Sequence, residues 1–345
     1  MQTIHWNINN QQSNQVIFQE AAKLLRSGEC VAFPTETVYG LGADATNQAA
    51  VQKIYEAKGR PSDNPLIVHI ARREQMDPFV ASYPVKAIQL MEKFWPGPLT
   101  VILPLKKDSL ATNVSAGLST VGVRMPEHPV SLALIDAANI PVAAPSANRS
   151  GKPSPTTASH VIEDLDGKIA GIIDGGATGV GLESTVIDCS LDIPVILRPG
   201  GVTKEQIEQI IGPVDIATNN TKETEKPKAP GMKYTHYAPK APVYLIEGSI
   251  QFWQSEINKA EAANKKLGIL ATKELINQLN TSGTIEITGS INALDEIATS
   301  LYKGLRAFDH ADVDVIFAEV YPETELGAAI MNRLEKAAGN RRIRE

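Results

Sequence analysis

Apolar positions recur at helical spacing over residues 14–27, where Ile17, Ala21, Leu24 and Leu25 share one face and Gly28 closes the run. A short apolar stretch at 30–34 predicts a strand. Asn47 is placed to cap a helix carrying Val51, Ile54 and Tyr55, and the run from Leu66 to Ile70 predicts a buried strand. A helix near 84–94 ends in Trp95-Pro96-Gly97-Pro98, a sequence that halts a helix. Strands near 99–104 and 121–125 follow, then a helix near 130–138 and a strand ending at Pro145-Ser146-Ala147-Asn148. Further strands fit 169–173, 184–188 and 194–198. Strands outnumber helices and short links join many of them, which predicts an α/β domain on a mixed, twisted sheet.

The texture changes at residue 213. Residues 218–228 (T-N-N-T-K-E-T-E-K-P-K) are polar and lack any period, as a linker or mobile loop would be. Residues 229–242 (A-P-G-M-K-Y-T-H-Y-A-P-K-A-P) hold two tyrosines, a histidine and a methionine, which predicts a segment that docks. From 243 onward, strands at 243–247, 267–271, 284–287 and 313–318 alternate with helices at 250–263, 272–280, 292–307 and 326–338. That alternation predicts a small, Rossmann-like parallel α/β domain. Its first strand runs into Glu247-Gly248-Ser249, not a glycine fingerprint, so no nucleotide site is expected there. The expected organisation is a catalytic domain over 1–212, a linker or lid over 213–241 and a C-terminal domain over 242–345.

Composition narrows the class. The 345 residues carry a net charge of −6, of which −4 falls in residues 1–212, which argues against a dedicated nucleic-acid coat protein. Cys30 and Cys189 both lie in apolar strand-like runs and are expected as buried core thiols, with no protein-bound structural metal. The N-terminus lacks a signal pattern and no apolar run approaches membrane-spanning length, so a cytoplasmic protein without membrane contact is expected.

The candidate chemistry gathers at strand ends. Pro34-Thr35-Glu36-Thr37 ends a strand with hydroxyls and a carboxylate, and Lys58-Gly59-Arg60-Pro61 sets two cations in a stiff loop suited to a polyphosphate. Gly40-Leu41-Gly42-Ala43-Asp44-Ala45 fits a loose dinucleotide pattern. No acidic residue closes a second strand about twenty residues on, so turn glycines are expected instead. His69 interrupts the apolar strand L-I-V-H-I, where a satisfied core histidine and a substrate ligand are both open readings. Arg124 lies in an apolar run and needs an anionic partner, from protein or ligand. Ser146 with Asn148, Ser154, Glu183-Ser184-Thr185, Arg198-Pro199-Gly200-Gly201 and Thr120 add hydroxyls, amides and cations to further strand edges.

Taken together and in order, P-T-E-T-V-Y-G-L, K-G-R-P, the S-x-N of Ser146 and Asn148, E-S-T-V-I-D, L-R-P-G and P-G-M-K-Y-x-H-Y-A-P resemble the two-domain threonylcarbamoyl-AMP synthase family across essentially the whole chain. The resemblance implies a YrdC-like twisted sheet joined to a small Rossmann-like domain. It implies a nucleotidyltransferase that condenses L-threonine, bicarbonate or carbon dioxide, and ATP into threonylcarbamoyl-AMP and pyrophosphate. Magnesium would accompany ATP, and the product would feed threonylcarbamoyladenosine modification of tRNA through a downstream transferase, with direct tRNA contact left open. By the same resemblance Thr37, His69, Arg124, Ala144 and Ser184 would hold threonine, Arg124 on its carboxylate and Ala144 through its backbone. Lys58, Arg60, Asn64, Thr120, Ser146, Asn148, Ser154 and Arg198 would surround ATP, with Lys58 and Arg60 doing most for the chemistry, and Tyr237 would close over the nucleotide. Thr235 departs from the family, where a basic residue is common.

Two other readings compete: a double-stranded RNA-binding or ribosome-assembly module, and a hydrogenase-maturation enzyme forming a carbamoyl adenylate. Two cysteines speak against the zinc-finger region of the latter. If residues 229–241 form a lid over a hydrolysis-prone intermediate, deleting them should lower product yield more than ATP consumption. Equal loss of both, measured as adenylate product against ATP used, would remove the lid.

Overall fold

The computed structural model describes residues 2–8, 14–217, 227, 229 and 237–345. The chain forms two compact units. The first comprises Met1–Ser150, Pro155–Gly179 and Glu183–Lys233, and the second comprises Gly151–Ser154, Val180–Leu182 and Tyr234–Glu345.

The first unit is built on a sheet of eleven strands: β1 (Ile4–Asn7), β2 (Val31–Phe33), β3 (Gly40–Asp44), β4 (Ile67–His69), β5 (Leu99–Pro104), β6 (Thr120–Arg124), β7 (Val142–Ala143), β8 (Gly171–Asp174), β9 (Thr185–Asp188), β10 (Val195–Arg198) and β11 (Asp215–Ile216). Their order is β1-β8-β2-β3-β7-β4-β6-β5-β9-β10-β11. Parallel pairs (β4 with β6, β5 with β9) alternate with antiparallel ones (β5 with β6, β4 with β7), so the sheet is mixed. Helices α1 (Asn14–Arg26), α2 (Gln48–Lys58), α3 (Val85–Phe94), α4 (Pro129–Ala138), α5 (Ala158–Leu165) and α6 (Lys204–Ile211) cover it. Asn47 caps α2 as expected, its side chain accepting from Ala49 N and Ala50 N, and Gly59 closes the helix at a φ of 60°.

Period-two alternation decides what each face of the central strands does. Val68, Val101, Val123 and Ile187 point into the main core with Ile54, Leu90 and Met91. The opposite face presents Ile67 and His69 on β4, Gly122 and Arg124 on β6, and Thr100 and Ile102 on β5, with Ile67 and Ile102 both in register with Gly122. Ile67 and Ile102 pack there with Val186 and with Ala229 of the linker.

The second unit is a parallel five-stranded sheet of order β14-β13-β15-β12-β16, from β12 (Val243–Glu247), β13 (Leu267–Ala271), β14 (Thr284–Ile287), β15 (Val315–Glu319) and β16 (Arg342–Arg344). Its helices are α7 (Ile250–Ala262), α8 (Lys273–Ile276), α9 (Leu294–Ala307) and α10 (Glu325–Ala338).

Several elements differ from the sequence expectation. Gly40 and Gly42 are strand residues of β3, not turn glycines, and a Cβ on Gly42 would lie 2.7 Å from the Phe33 ring and 2.8 Å from Val142 Cγ1. That glycine serves close packing between strands, which also ends the dinucleotide reading. The helix expected over 272–280 shortens to α8, capped by Thr272 and finished at Asn277. Strands β1, β11 and β16 and helices α5 and α6 escaped the pattern. For α6 a signal was present, since Thr203 and Gln206 form a capping box. Both cysteines are buried, and burial pushes each thiol up to about 12.

Gly171 of β8 carries the side of Trp6, and a Cβ there would fall 2.3 Å from the indole. Gly171→Ala is expected to destabilise the first unit by about 1–3 kcal/mol through overpacking. The check is a lower urea midpoint at unchanged slope; an unshifted midpoint would show that Trp6 does not anchor β1.

Candidate active site

Arg124 ends β6 and is only 4% exposed. The anion it needs is Glu36, whose Oε1 lies 2.7 Å from Arg124 Nη2 in an ion pair. Its Nε donates to Gly97 O at 3.3 Å. The 34–38 loop that delivers Glu36 is held by Thr35, whose hydroxyl donates to Val38 O (2.7 Å) and accepts from the N–H groups of Thr37 and Val38. The buried Thr37 hydroxyl meets Thr35 Oγ1 at 2.9 Å. Because the Thr35 proton points to Val38 O, Thr37 is the donor in that pair and its lone pairs remain available.

His69 ends β4 in register with Arg124. Burial, reinforced by the neighbouring Arg124 charge, drives its pKa down to about 3, so the ring is neutral near pH 7. Nδ1 faces Ile67 O at 3.3 Å, which assigns the ring proton to Nδ1 and leaves Nε2 as an acceptor. Ala144 donates its N–H to Ile67 O at 2.9 Å, so its carbonyl is the backbone group it can offer. Ser184, just before β9, bonds Thr100 Oγ1 at 2.8 Å. The guanidinium of Arg198 donates to Ser184 O from Nε (3.2 Å) and Nη2 (2.9 Å). Gly200 permits this crossing, since a Cβ there would lie 2.4 Å from Glu183 O and from Thr185 N.

Lys58 corrects the expected loop. It is the last residue of α2, only 3% exposed, and its ammonium donates to Ser146 O (2.5 Å) and Asn148 O (2.6 Å). It therefore braces the S-x-N turn as well as carrying charge. Ser146 Oγ donates to Asn148 Oδ1 at 2.6 Å, and Asn148 Nδ2 donates to Arg149 O. Arg60 donates to Pro65 O at 3.1 Å, and the buried Asn64 Oδ1 has no hydrogen-bond partner among the described residues. Thr120 opens β6, on the same face as Gly122 and Arg124.

The first unit thus brings Thr37, Lys58, Arg60, Asn64, His69, Thr120, Arg124, Ala144, Ser146, Asn148, Ser184 and Arg198 onto adjoining strands and loops of one sheet. Ser154 and Tyr237 belong to the second unit. There Tyr237 stacks on Tyr302 at 5.2 Å between ring centroids. Thr235 and most of the expected linker lie outside the described residues. Sequence reasoning took Thr35 only as a strand-end hydroxyl, not as the residue that sets the loop, and it passed over Gly122, whose missing side chain leaves room between Ile67 and Thr100. A Cβ on Gly122 would meet them at 3.6 and 3.2 Å. The glycine inside V-G-V-R was the available signal.

Comparison with known proteins decides the family. Residues 23–200 match the Sua5/YciO/YrdC family model, described as telomere recombination, and residues 202–339 match the model for the C-terminal domain of threonylcarbamoyl-AMP synthase. The chain belongs to this family, in its two-domain form. A threonylcarbamoyl-AMP synthase from Bacillus subtilis is 55% identical over 332 residues, covering 96% of each chain. One from Pyrococcus abyssi is 48% identical over 94% of each. Among solved structures, P. abyssi Sua5 complexed with L-threonine superposes with a TM-score of 0.93 at 45% identity over the full length of both chains. The family's pairing of a large twisted sheet with a second parallel sheet is the architecture found here. Among the described residues no helix is long and apolar enough to cross a membrane.

A neutral buried histidine has a pH signature. The unfolded chain binds a proton near pH 6.5 and the folded His69 only near 3. Stability is therefore complete above about 6.5 and is lost as pH falls toward 3. His69→Asn should flatten that acid limb by up to about 1.4 kcal/mol per pH unit, read from urea midpoints at pH 7.5 and 5. A limb as steep as that of the wild type would show that His69 is not buried neutral.

Proposed function

We propose that this chain is an L-threonylcarbamoyladenylate synthase. It condenses L-threonine, bicarbonate or carbon dioxide, and ATP into threonylcarbamoyl-AMP and pyrophosphate. The observation that carries the reading is a single sheet whose adjoining strands and loops bear an amino-acid-sized set (Thr37, His69, Arg124, Ser184) and a phosphate-sized set (Lys58, Arg60, Ser146, Asn148), with Gly122 midway along β6. The threonine complex of the P. abyssi relative supports it.

On this reading Arg124 takes the threonine carboxylate, and Thr37 and the Nε2 of His69 are available to its hydroxyl. The bound ammonium first gives up a proton to water or bicarbonate, and the neutral amine then attacks carbon dioxide, releasing a second proton as the N–C bond of the carbamate forms. A carbamate oxygen then forms a bond to the α-phosphorus of ATP as the bond to the pyrophosphate leaving group breaks. No nucleophilic side chain is needed; the protein aligns two anions and offsets their repulsion. Lys58, Arg60 and Arg198 supply positive charge, while Asn64, Thr120, Ser146, Asn148 and Ser154 supply hydrogen bonds. Magnesium belongs to this reading as ATP's companion and so as part of the substrate. Tyr237 and the linker before it are the parts we assign to covering the nucleotide. The mixed-anhydride product, prone to hydrolysis, calls for a transferase that accepts it for tRNA modification in the cytoplasm.

Pyrophosphate release that needs both threonine and bicarbonate is the decisive assay, and its absence would end the reading. Lys58→Ala should lower kcat/KM about ten- to hundredfold, the equivalent of about 1.5–3 kcal/mol for a charge-assisted contact. The exposed Lys107→Ala is the surface-cation control. Equal activity in the two variants would take Lys58 out of the chemistry.

A further inference from the structure

Glu36 has no role in the reading above, yet its position is unusual. Its side chain is 11% exposed, and both carboxylate oxygens are buried with no hydrogen-bond partner among the described residues, Oε1 meeting Arg124 only as an ion pair. A carboxylate oxygen left without a partner inside a protein is costly. Among the described residues, Arg124 is its one ion-pair partner. His69, beside Arg124, is neutral, and burial lowers the pKa of His128 even though Glu36 opposes that shift. The hydroxyl of Thr35, the preceding residue, is committed to Val38 O.

We infer that Glu36 is a substrate-binding residue that receives the α-ammonium of the amino acid while Arg124 takes its α-carboxylate. The inference rests on threonine being that amino acid. An α-amino acid carries its two charges one carbon apart, so a zwitterion can enter between Glu36 and Arg124 and give each a new counter-charge. The pair that meets across 2.7 Å in this structure is then exchanged for two pairs, and neither buried charge is stranded. A carboxylate without an ammonium would satisfy Arg124 and leave Glu36 alone. The site would thereby select the zwitterion over hydroxy acids and simple carboxylates, by leaving a buried charge unpaired when the wrong ligand binds.

The test compares L-threonine with 2,3-dihydroxybutanoate of matching configuration, which replaces the ammonium by a hydroxyl, by calorimetric titration. Wild-type protein should bind threonine at least about tenfold more tightly than the hydroxy acid. In Glu36→Gln that preference should collapse, through weaker threonine binding and unchanged or tighter hydroxy-acid binding. In Glu36→Asp, which keeps the charge, most of the preference should return. ATP titration of each variant verifies that the fold is intact. If Glu36 merely positions Arg124, both ligands share its carboxylate contact, so Glu36→Gln would weaken both by one factor and overturn the inference. Equal binding of the two ligands by wild type would overturn it without any variant. Failure of wild type to bind threonine at all would instead strike the proposed function.

Discussion

Three cations, Lys58, Arg124 and Arg198, are held almost out of water, at 3–5% exposure, and the first unit is arranged around satisfying them. Removing the partner of a buried charge costs about 3–5 kcal/mol, so what answers each one matters. Lys58 and Arg198 are answered in part by neutral carbonyls, those of Ser146 and Asn148 for the first and of Ser184 for the second. Carbonyl dipoles orient a cation without cancelling its charge. Arg124 is answered by a full carboxylate from Glu36. A cation oriented by carbonyl dipoles can still turn toward an anionic group, whereas a closed ion pair suits a ligand bringing one charge of each sign.

The strands explain how those charges can be afforded. One face of β4, β5, β6 and β9 supplies Val68, Val101, Val123 and Ile187 to the main core, and that burial stabilises the sheet on which the other face rests. The second face packs only the small cluster of Ile67, Ile102, Val186 and Ala229. It carries a glycine where a large residue would otherwise stand, with threonine, histidine and arginine around it. The surrounding loops are fixed by local bonds: Thr35 within its own turn, Lys58 across to the S-x-N turn, and Gly200 against Glu183 and Thr185. Preorganisation of this kind places the cost of ordering in folding, ahead of the encounter with ligand.

Much of this was legible in the chain. Strand ends bearing Thr37, His69, Arg124, Ser146 and Ser184 stood out because polar residues interrupted or closed apolar runs. Arg124 in particular demanded an anion on burial grounds alone, and Glu36 supplies one. Other features were hidden for physical reasons. Gly40 and Gly42 carry weak strand propensity, and only the closeness of Phe33 and Val142 makes glycine the fitting residue in β3. Lys58 looked like a loop cation because Gly59 follows it, yet that glycine is the helix terminator that points Lys58 inward. The 2.7 Å contact between residues 88 positions apart, Glu36 and Arg124, follows from tertiary folding and leaves no local period to detect.

The second unit uses buried charge differently. Arg333 is fully buried and lies 5.8 Å from the centroid of the Tyr237 ring, which also stacks on Tyr302. Tyr237 has a φ of 66°, a left-handed conformation that costs a non-glycine residue about 1–2 kcal/mol. Stacking and a cation over an aromatic face, each worth about 0.5–2 kcal/mol, are of the size needed to hold it there. Arg306, also buried, donates from Nε and Nη2 to Pro153 O, within the segment that carries Ser154. In this unit, then, the buried guanidiniums grip short stretches of chain, among them the two residues, Ser154 and Tyr237, that the family resemblance assigned to ATP. Buried charge in this unit therefore fixes local backbone, where in the first unit it stands at the ends of strands and of α2.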